Sequence, residues 1–335
     1  MKEHEIRPEA ILKRYLELSA EDAVNCFSDS GRTDLSCVAC GEPSAAHQFD
    51  KNGFAYSQCA VCGTLFQNPR PSIAAFESFY RDSRSSRYWA EVFFPAVAEV
   101  RREKIFRPRV ERLSELCLEL GLEVESLIDV GAGYGIFLEE WLRRFKGTKA
   151  LAVEPSSSLA AECRSKGLDV VEEIAENVVG FDGTADLVTC FEVLEHVYDP
   201  LSFVQTLKNL TRPGGYVFVS TLCIEGFDLQ LLWDRSGQIS PPHHINFLSV
   251  RGFELLFERA GLQDVKVLTP GQLDVDIVKN ALKNQPDSIK EQRFVRTLLS
   301  DDARAAAFQR FLVEQRMSSH VWVMGRTLMQ EKGSR

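Results

Sequence analysis

Long apolar segments are absent from this 335-residue chain. No run of about 18 or more apolar residues occurs, and a helix that crosses a bilayer needs such a run. The first ten residues, MKEHEIRPEA, lack the apolar core of a secretory signal. We therefore expect no membrane span and a cytoplasmic protein.

The chain also lacks a surplus of basic residues. It has 39 Lys and Arg against 48 Asp and Glu, which gives a formal net charge of −9. This balance argues against a protein that coats nucleic acid or an anionic membrane, so no nucleic-acid partner is expected. Hydrophobic and charged fractions of 44% and 26% exclude a largely disordered chain. The length suggests one large domain and a smaller one, or two domains.

Two nucleotide-binding motifs are missing. No G-x-x-x-x-G-K-[ST] sequence occurs, which counts against an NTPase. The segment IDVGAGYGIFLEE (128–140) has Gly131, Gly133 and Gly135, but Ile136 stands where a dinucleotide fingerprint has its third glycine. The glycine loop, residues 131–135, therefore fits a nucleoside-like ligand better than a pyrophosphate.

Nine cysteines need an explanation, because disulfides are rare in the cytoplasm. Two CxxC pairs have the C-x2-C-x18-C-x2-C spacing of a four-thiolate zinc site, and they consist of Cys37, Cys40, Cys59 and Cys62. The residues between them alternate like a short hairpin. Four thiolates leave no open position, so the zinc is expected to be structural. The alternative is a pair of redox motifs, but no βαβ pattern surrounds them. The other cysteines are expected to be packing residues.

Hydrophobic periodicity predicts an α/β fold. Short apolar runs that alternate with amphipathic stretches predict a doubly wound parallel sheet, with strands at 127–130, 150–154, 169–171, 186–190, 214–222 and 264–269. HVWVMGRTL (320–328) is a late strand that would finish the sheet antiparallel. The predicted regions are an N-terminal helical segment (1–34), a zinc-binding module (35–72) that ends in a turn or linker NPRPS (68–72), a helical linker or cap (73–124), the core (125–271), a helical insertion (272–319), and the last strand with a tail (320–335). The insertion is a lid, or else a dimerisation or packing element.

Two carboxylates flank the glycine loop in the sequence. Glu154 ends the second predicted strand, where a carboxylate can accept both hydrogens of a ribose diol. Asp129 precedes the glycines. Acidic groups there suit a ligand that carries a sulfonium and an ammonium, and they would repel phosphates.

The segments DVGAGYG, AVEPS, DLVTCFEVLEHVYDP and RPGGYVFVSTL follow one another in an order that resembles the class I S-adenosylmethionine-dependent methyltransferases over about residues 125–270. The resemblance implies a seven-stranded Rossmann-like sheet with an antiparallel last strand, and S-adenosylmethionine as the cofactor. Carried over by position, it implies that Asp129, Gly131, Ala132 and Gly133 line the methionine part, Glu154 holds the ribose, Glu176 lies near the adenine, and Phe191 and Glu192 flank the reacting methyl.

The zinc module and the segment PPHHINFLS (241–249) narrow the resemblance. Together they are similar to methyltransferases of sugar and surface-polysaccharide biosynthesis. In this resemblance, His244 matches the histidine of the family's segment after the fifth strand. Relatives that methylate sugar carbon carry a large C-terminal domain, and the roughly 60 residues after the sixth strand are too few for it. The resemblance therefore implies O-methylation of a nucleotide-linked sugar or glycan hydroxyl, with C-methylation as an alternative.

A hydroxyl acceptor benefits from a general base, and histidine is suited to that role near neutral pH. His244 is the first candidate and its neighbour His243 the second. The alternative is a histidine pair that only satisfies a loop turned by Pro241 and Pro242. His196 is expected on a helix four residues after Glu192, where it would orient the acceptor or merely pack.

Three aromatic residues before the core are candidates for the substrate site. Tyr80, Tyr88 and Trp89 could close over the cofactor or the sugar, and the alternative is core packing. Two other functions stay open. One is a zinc-containing ribosomal-RNA methyltransferase, against which the acidic charge and the CFEV sequence after the fourth strand count. The other is a non-catalytic scaffold. A homodimer is compatible with the sequence.

Overall fold

The computed structural model describes residues 1–28, 30–284 and 292–329. The predicted insertion and tail fall partly on 285–291 and 330–335, outside the described residues. Within the described part of the chain, no helix is both long enough and apolar enough to cross a bilayer.

The described residues form fourteen α-helices and thirteen strands. The described α-helices are α1 Glu3–Ile6, α2 Glu9–Phe27, α3 Ile73–Asp82, α4 Arg84–Tyr88, α5 Phe94–Arg101, α6 Arg107–Glu119, α7 Ile136–Arg144, α8 Ser157–Ser165, α9 Pro200–Leu210, α10 Phe227–Leu232, α11 Val250–Arg259, α12 Asp274–Asn284, α13 Arg293–Leu299 and α14 Asp302–Glu314. The described strands are β1 Arg32–Thr33, β2 Ala45–Lys51, β3 Phe54–Cys59, β4 Leu65–Gln67, β5 Arg70–Pro71, β6 Ser126–Val130, β7 Lys149–Val153, β8 Asp169–Val171, β9 Ala185–Phe191, β10 Thr211–Leu222, β11 Asn246–Phe247, β12 Gln263–Leu268 and β13 His320–Arg326.

A seven-stranded sheet forms the centre of the structure, in the order β12-β13-β10-β9-β6-β7-β8. Strands β6 to β10 pair in parallel, and β13 pairs antiparallel with both β10 and β12. Every residue of β9 is buried, as expected of a strand that is covered by helices on both faces. The predicted fold, including its late antiparallel strand, is confirmed.

Amphipathic helices cover the two faces of this sheet. On α11, Phe253, Leu256 and Phe257 recur at helical spacing and are buried in one core. Leu113 of α6 and Trp141 of α7 belong to the core on the other face. The N-terminus of helix α11 is capped by Ser249, whose hydroxyl accepts the Gly252 N–H.

The zinc-binding module is part of a four-stranded antiparallel sheet in the order β11-β4-β3-β2. Strands β2 and β3 form the expected hairpin, turned by Asn52 and Gly53, which both have positive φ. The edge strand β11 comes from the distant 241–249 segment and pairs with β4. The module therefore shares a sheet and a core with the segment that holds the predicted catalytic histidines.

The four predicted zinc ligands lie together. Their sulfur atoms are all within 4.8 Å of one another, with Cys37–Cys62 and Cys40–Cys59 separations of 3.6 and 3.5 Å. Tetrahedral zinc with bonds of about 2.3 Å places its sulfurs roughly 3.8 Å apart, so the cluster fits this ion. It lies against the core, because the Ser249 hydroxyl at the start of α11 donates to the Cys62 carbonyl.

Loss of the zinc ligands is expected to destabilise the module and the 241–249 segment that it supports. Replacing Cys59 with serine should lower the thermal midpoint by about 5 °C or more and abolish metal retention. Calorimetry and elemental analysis of the purified protein test this. The matched control is Cys26→Ala, which lies outside the cluster. A metal-free protein with an unchanged midpoint would contradict the structural role.

Candidate functional site

The glycine loop lies at the carboxyl end of β6, beside the carboxyl ends of β7 and β9, where doubly wound sheets bind ligands. Gly131 has a φ of +73°, and a Cβ added there would lie 2.5 Å from Cγ2 of Val193. Glycine is therefore required, because the segment after β9 packs directly on the loop. The Gly131 and Ala132 N–H groups both donate to the Val153 carbonyl of β7, at 2.8 and 3.2 Å.

Glu154 follows β7 and braces the glycine loop. Its two carboxylate oxygens accept the Gly133 N–H at 2.8 Å and the Ser156 N–H at 2.9 Å. Burial raises the pKa of Glu154, and these two hydrogen bonds oppose that effect. Each oxygen retains a lone pair, which is the acceptor capacity that a ribose diol requires.

Asp129 lies within β6 and is 2% exposed. Its carboxylate accepts the Thr189 hydroxyl at 2.7 Å. Burial raises the pKa of Asp129 to about 7, against the opposing effects of Thr189 and the Arg109 charge. A cationic ligand in the adjacent crevice would favour the ionised form.

Glu176 lies farther along the same side of the sheet, in a short 3-10 turn after β8. Its side chain is exposed. The predicted cofactor residues on β6 and β7 therefore form one connected group, whereas Glu176 stands apart from their hydrogen bonds.

A contact that was not anticipated joins the helical cap to the glycine loop. The Tyr134 ring stacks on Phe94 of α5, with centroids 4.4 Å apart and planes at 7°. Its hydroxyl donates to the Ala90 carbonyl. The aromatic residue in the middle of the glycine motif was the sequence signal for this contact, but its partner is about 40 residues away.

Glu192 is held by residues from two distant elements. Its Oε1 lies 3.1 Å from Nη2 of Arg109 on α6 and 3.0 Å from Nε2 of His320 on β13, and it accepts the Ser220 hydroxyl at 2.6 Å. Burial opposes ionisation, but His320 and Arg109 hold the pKa of Glu192 well below its usual range. Phe191, immediately before it, lies 4.4 Å beneath the Arg109 guanidinium. No local motif indicated Arg109 or His320.

The expected helical spacing between Glu192 and His196 is wrong. Glu192 has a φ of +56°, and only the short 3-10 turn Leu194–His196 follows it. Residues four apart share a face only on an α-helix, so the left-handed Glu192 separates the two side chains. His196 instead lies beside His244, with ring centroids 4.8 Å apart.

The two histidines are neutral and oriented alike. Nδ1 of His196 lies 2.9 Å from the His243 carbonyl, and Nδ1 of His244 bonds the Gln238 carbonyl. Because a carbonyl only accepts, each Nδ1 carries the proton and each Nε2 carries a lone pair. Burial lowers the pKa of His196 to about 3 and of His244 to about 4.

His243 has a different environment. Its Nε2 lies 2.8 Å from the Ser85 hydroxyl, which itself donates to Asp22 at 2.6 Å. The single hydroxyl hydrogen goes to Asp22, so His243 is the donor to Ser85. Its ring packs edge-on against Phe79, with centroids 4.8 Å apart. These contacts anchor His243 between α2 and α4 and favour His244 as the base.

The three predicted aromatic residues occupy two places. The Tyr80 hydroxyl lies 3.5 Å from Nδ1 of His196 and 3.4 Å from the His243 carbonyl, so Tyr80 borders the histidines. Trp89 stacks on Phe93 at 4.3 Å, and Tyr88 packs against the same small core. Their contacts are those of packing residues.

A buried arginine joins the two segments that carry the histidines. Arg70 donates to the Tyr198 carbonyl at 2.6 Å and to the Asn246 side chain at 2.7 Å. Asn246 in turn donates to the Val197 carbonyl at 2.7 Å. Arg70 lies in the predicted linker, which instead contains β5, paired with β1.

A further group has the spacing of metal ligands. Glu195 contributes a carboxylate oxygen, and His196 and His244 each contribute a ring nitrogen, all within 4.8 Å. A divalent cation could be held there through the carboxylate and the two Nε2 lone pairs. Burial and the Glu192 charge, however, raise the pKa of Glu195 to about 8, which favours a protonated carboxyl near neutral pH.

The curated relatives are methyltransferases that match only part of the chain. The Ubiquinone biosynthesis O-methyltransferase of Cupriavidus pinatubonensis is 38% identical over 107 residues, which are 30% of this chain and 43% of the relative. The protein of the same name from Erwinia tasmaniensis is 33% identical over 164 residues, 46% of this chain and 60% of the relative. The chain thus spans about half the length of these relatives.

Solved structures share the fold. The plantazolicin methyltransferase BamL, in complex with a triazolic desmethylPZN analog and SAH, has a TM-score of 0.50 and 14% identity, over 75% of this chain and 94% of that chain. At this identity the similarity concerns the fold alone.

The raised pKa of Asp129 predicts a pH-dependent affinity for a cationic ligand. Ionised Asp129 attracts S-adenosylmethionine, so the dissociation constant should fall up to about tenfold between pH 6 and pH 8 as the carboxyl with pKa about 7 loses its proton. Isothermal titration calorimetry measures this. In Asp129→Asn the pH dependence should disappear and binding should be weaker throughout. An Asp129→Asn protein that keeps the wild-type pH profile would exclude Asp129 as its source.

The family comparison covers the region that carries the site. The family model described as Methyltransferase domain matches residues 98–267, half of the chain. This range includes the glycine loop, Glu154, Glu192 and both neutral histidines. The chain therefore belongs to the methyltransferase domain family.

Proposed function

We propose that the protein transfers a methyl group from S-adenosylmethionine to a hydroxyl of a sugar, either nucleotide-linked or in a surface glycan. The observation that supports this most directly is the orientation of His244, whose Nδ1 is bonded to the Gln238 carbonyl so that Nε2 carries the lone pair. A hydroxyl needs such a base, because it reacts poorly while it keeps its proton. The printed names of the curated relatives, which are O-methyltransferases, support the same acceptor atom.

The cofactor residues are those of the glycine loop and its two carboxylates. When bound, S-adenosylmethionine supplies a methyl group that is activated by its sulfonium. Asp129 would attract the positive charge, and Glu154 would accept the ribose hydroxyls while it braces Gly133. Glu176 is proposed near the adenine, and Phe191 and Glu192 beside the reacting methyl.

On the acceptor side, His244 would accept the proton of the attacking hydroxyl at Nε2. His196 lies against it and presents a second Nε2, which can accept a hydrogen bond from a neighbouring hydroxyl. Tyr80 can orient a polar acceptor through its hydroxyl. Alignment of the acceptor and exclusion of water are the main demands of an in-line methyl transfer.

The parts of the chain outside the family match build much of the acceptor side. Tyr80 and Ser85, which contacts His243, both precede residue 98, where the family match begins. The zinc-binding module supports the 241–249 segment through β11. These additions, together with the resemblance to sugar methyltransferases, favour a sugar. A ubiquinone-precursor hydroxyl is the second candidate, because the curated relatives are named for ubiquinone biosynthesis.

Product analysis tests the acceptor class. The protein is incubated with methyl-labelled S-adenosylmethionine and a panel of nucleotide sugars, glycans and dihydroxybenzoate-type phenols, and products are identified by mass spectrometry. Label in a sugar O-methyl group is the expected result. Label only in a phenol would favour the second candidate, and label on carbon would exclude O-methylation. Failure to bind S-adenosylmethionine would exclude a methyltransferase.

Removal of the proposed base should reduce turnover and spare cofactor binding. His244→Ala is expected to lower kcat about 100-fold or more, because a positioned base typically contributes this much, with the cofactor dissociation constant within about twofold of wild type. Steady-state kinetics and calorimetry measure the two effects. The matched control is His47→Ala, at an exposed position in β2 of the zinc-binding module. Its kcat and cofactor dissociation constant should match those of the wild type. Full turnover in His244→Ala would show that another group takes the proton.

A further inference from the structure

A group of arginines lies next to the proposed acceptor site although the chain as a whole is acidic. Arg7 follows α1, Arg101 ends α5, and Arg109 lies on α6. Helix α1 packs on α5, which brings Arg7 to the end of α5 that carries Arg101. The same α5 contacts the glycine loop through the stack of Phe94 on Tyr134. The arginines therefore come from the cap and the N-terminal segment, which pack beside the glycine loop.

The positive charges of these arginines influence the pKa values of one another and of His244. The Arg7 charge lowers the pKa of both Arg101 and His244, in addition to the effect of burial. Arg101 also interacts with Glu192 and Arg109. Because such effects weaken with distance, Arg7 lies near both Arg101 and His244.

The arginines are not fully compensated. Arg109 is paired with Glu192 at 3.1 Å, and within the described part of the chain the ion-pair partner of Arg7 is Glu3, at 4.0 Å. Among the described residues, Arg101 contacts the Phe94 ring at 5.4 Å but has no hydrogen bond or ion pair, and its Nε is buried. A buried guanidinium N–H without a hydrogen-bond partner costs free energy, and an anion bound beside Arg101 would remove that cost.

We propose that Arg7 and Arg101 bind an anionic group of the acceptor, a phosphate or a carboxylate, and so place its hydroxyl at His244. This inference rests on the proposed function and narrows it to charged acceptors, such as a sugar that is attached to a phosphate. Arginine suits the binding of either anion, because its planar guanidinium can donate two hydrogen bonds to a phosphate or to a carboxylate. Arg109 is excluded from this role by its pair with Glu192.

The test is binding of simple anions to the full-length protein saturated with S-adenosylhomocysteine, by calorimetry at constant ionic strength. Pyrophosphate and benzoate serve as probes, and the tighter one identifies the anionic group. Arg101→Met and Arg7→Met should each weaken that probe about tenfold, and Arg101→Lys should weaken it less. Arg112→Met removes an exposed arginine of α6 and is the matched control, expected within about twofold of wild type.

Three results of the binding measurements would overturn the proposal. They are absence of binding by both probes, wild-type affinity in both methionine variants, and a parallel loss of S-adenosylhomocysteine affinity in Arg101→Met, which would assign the arginine to the cofactor carboxylate. Arg7 is partly exposed, so its variant keeps the test decisive if Arg101→Met fails to fold. Methylation of neutral glycosides without anion binding would refute this inference and leave the proposed function intact.

Discussion

The arrangement of the candidate site depends on the buried Arg70–Asn246 pair. Asn246 lies in β11, two residues after His244, and donates to the carbonyls of the segment that contains His196. Arg70 completes this connection from the end of the zinc-binding module. The buried Arg70 guanidinium donates from Nη1 and Nη2 to these carbonyl and amide groups, and these hydrogen bonds define one packing of the two segments. The closeness of His196 and His244 follows from that packing.

Burial determines the protonation states on which the proposed chemistry relies. His196 and His244 stay neutral because water is excluded around them, whereas Glu192 stays ionised because Arg109 and His320 compensate its charge. One site therefore holds the neutral imidazoles of His196 and His244 together with the carboxylate of Glu192. The same exclusion of water strengthens electrostatic attraction for a cationic cofactor.

The zinc-binding module is an integral part of the acceptor side. Through β11 it shares a sheet with the 241–249 segment, and through Ser249 it contacts α11 of the core. A module of this size buries too little apolar surface to be stable alone, which explains both the thiolate cluster and the shared hydrophobic core.

Much of the core was predictable from the sequence, because its signals are local. The strand β8 was predicted to the residue, and β6, β7, β9 and β12 to within one residue at each end, since apolar runs between glycine-rich turns mark buried strands. The glycine loop, Asp129 and Glu154 were recognisable because they are contiguous with those strands. The prediction that Glu192 and His196 share a helix face was wrong, because residue spacing does not reveal that Glu192 adopts a left-handed conformation.

The sequence by itself determined the sheet, the cysteine cluster and the residues of the glycine loop, since each depends on periodicity or on spacing within a short segment. Only the tertiary structure decided which groups face one another across the site. His320, Arg109 and Arg70 reach it from elements far apart in the chain, and the contacts of His243 with Ser85 and Phe79 distinguish it from His244. Such relations depend on long-range packing and burial, which no local pattern encodes.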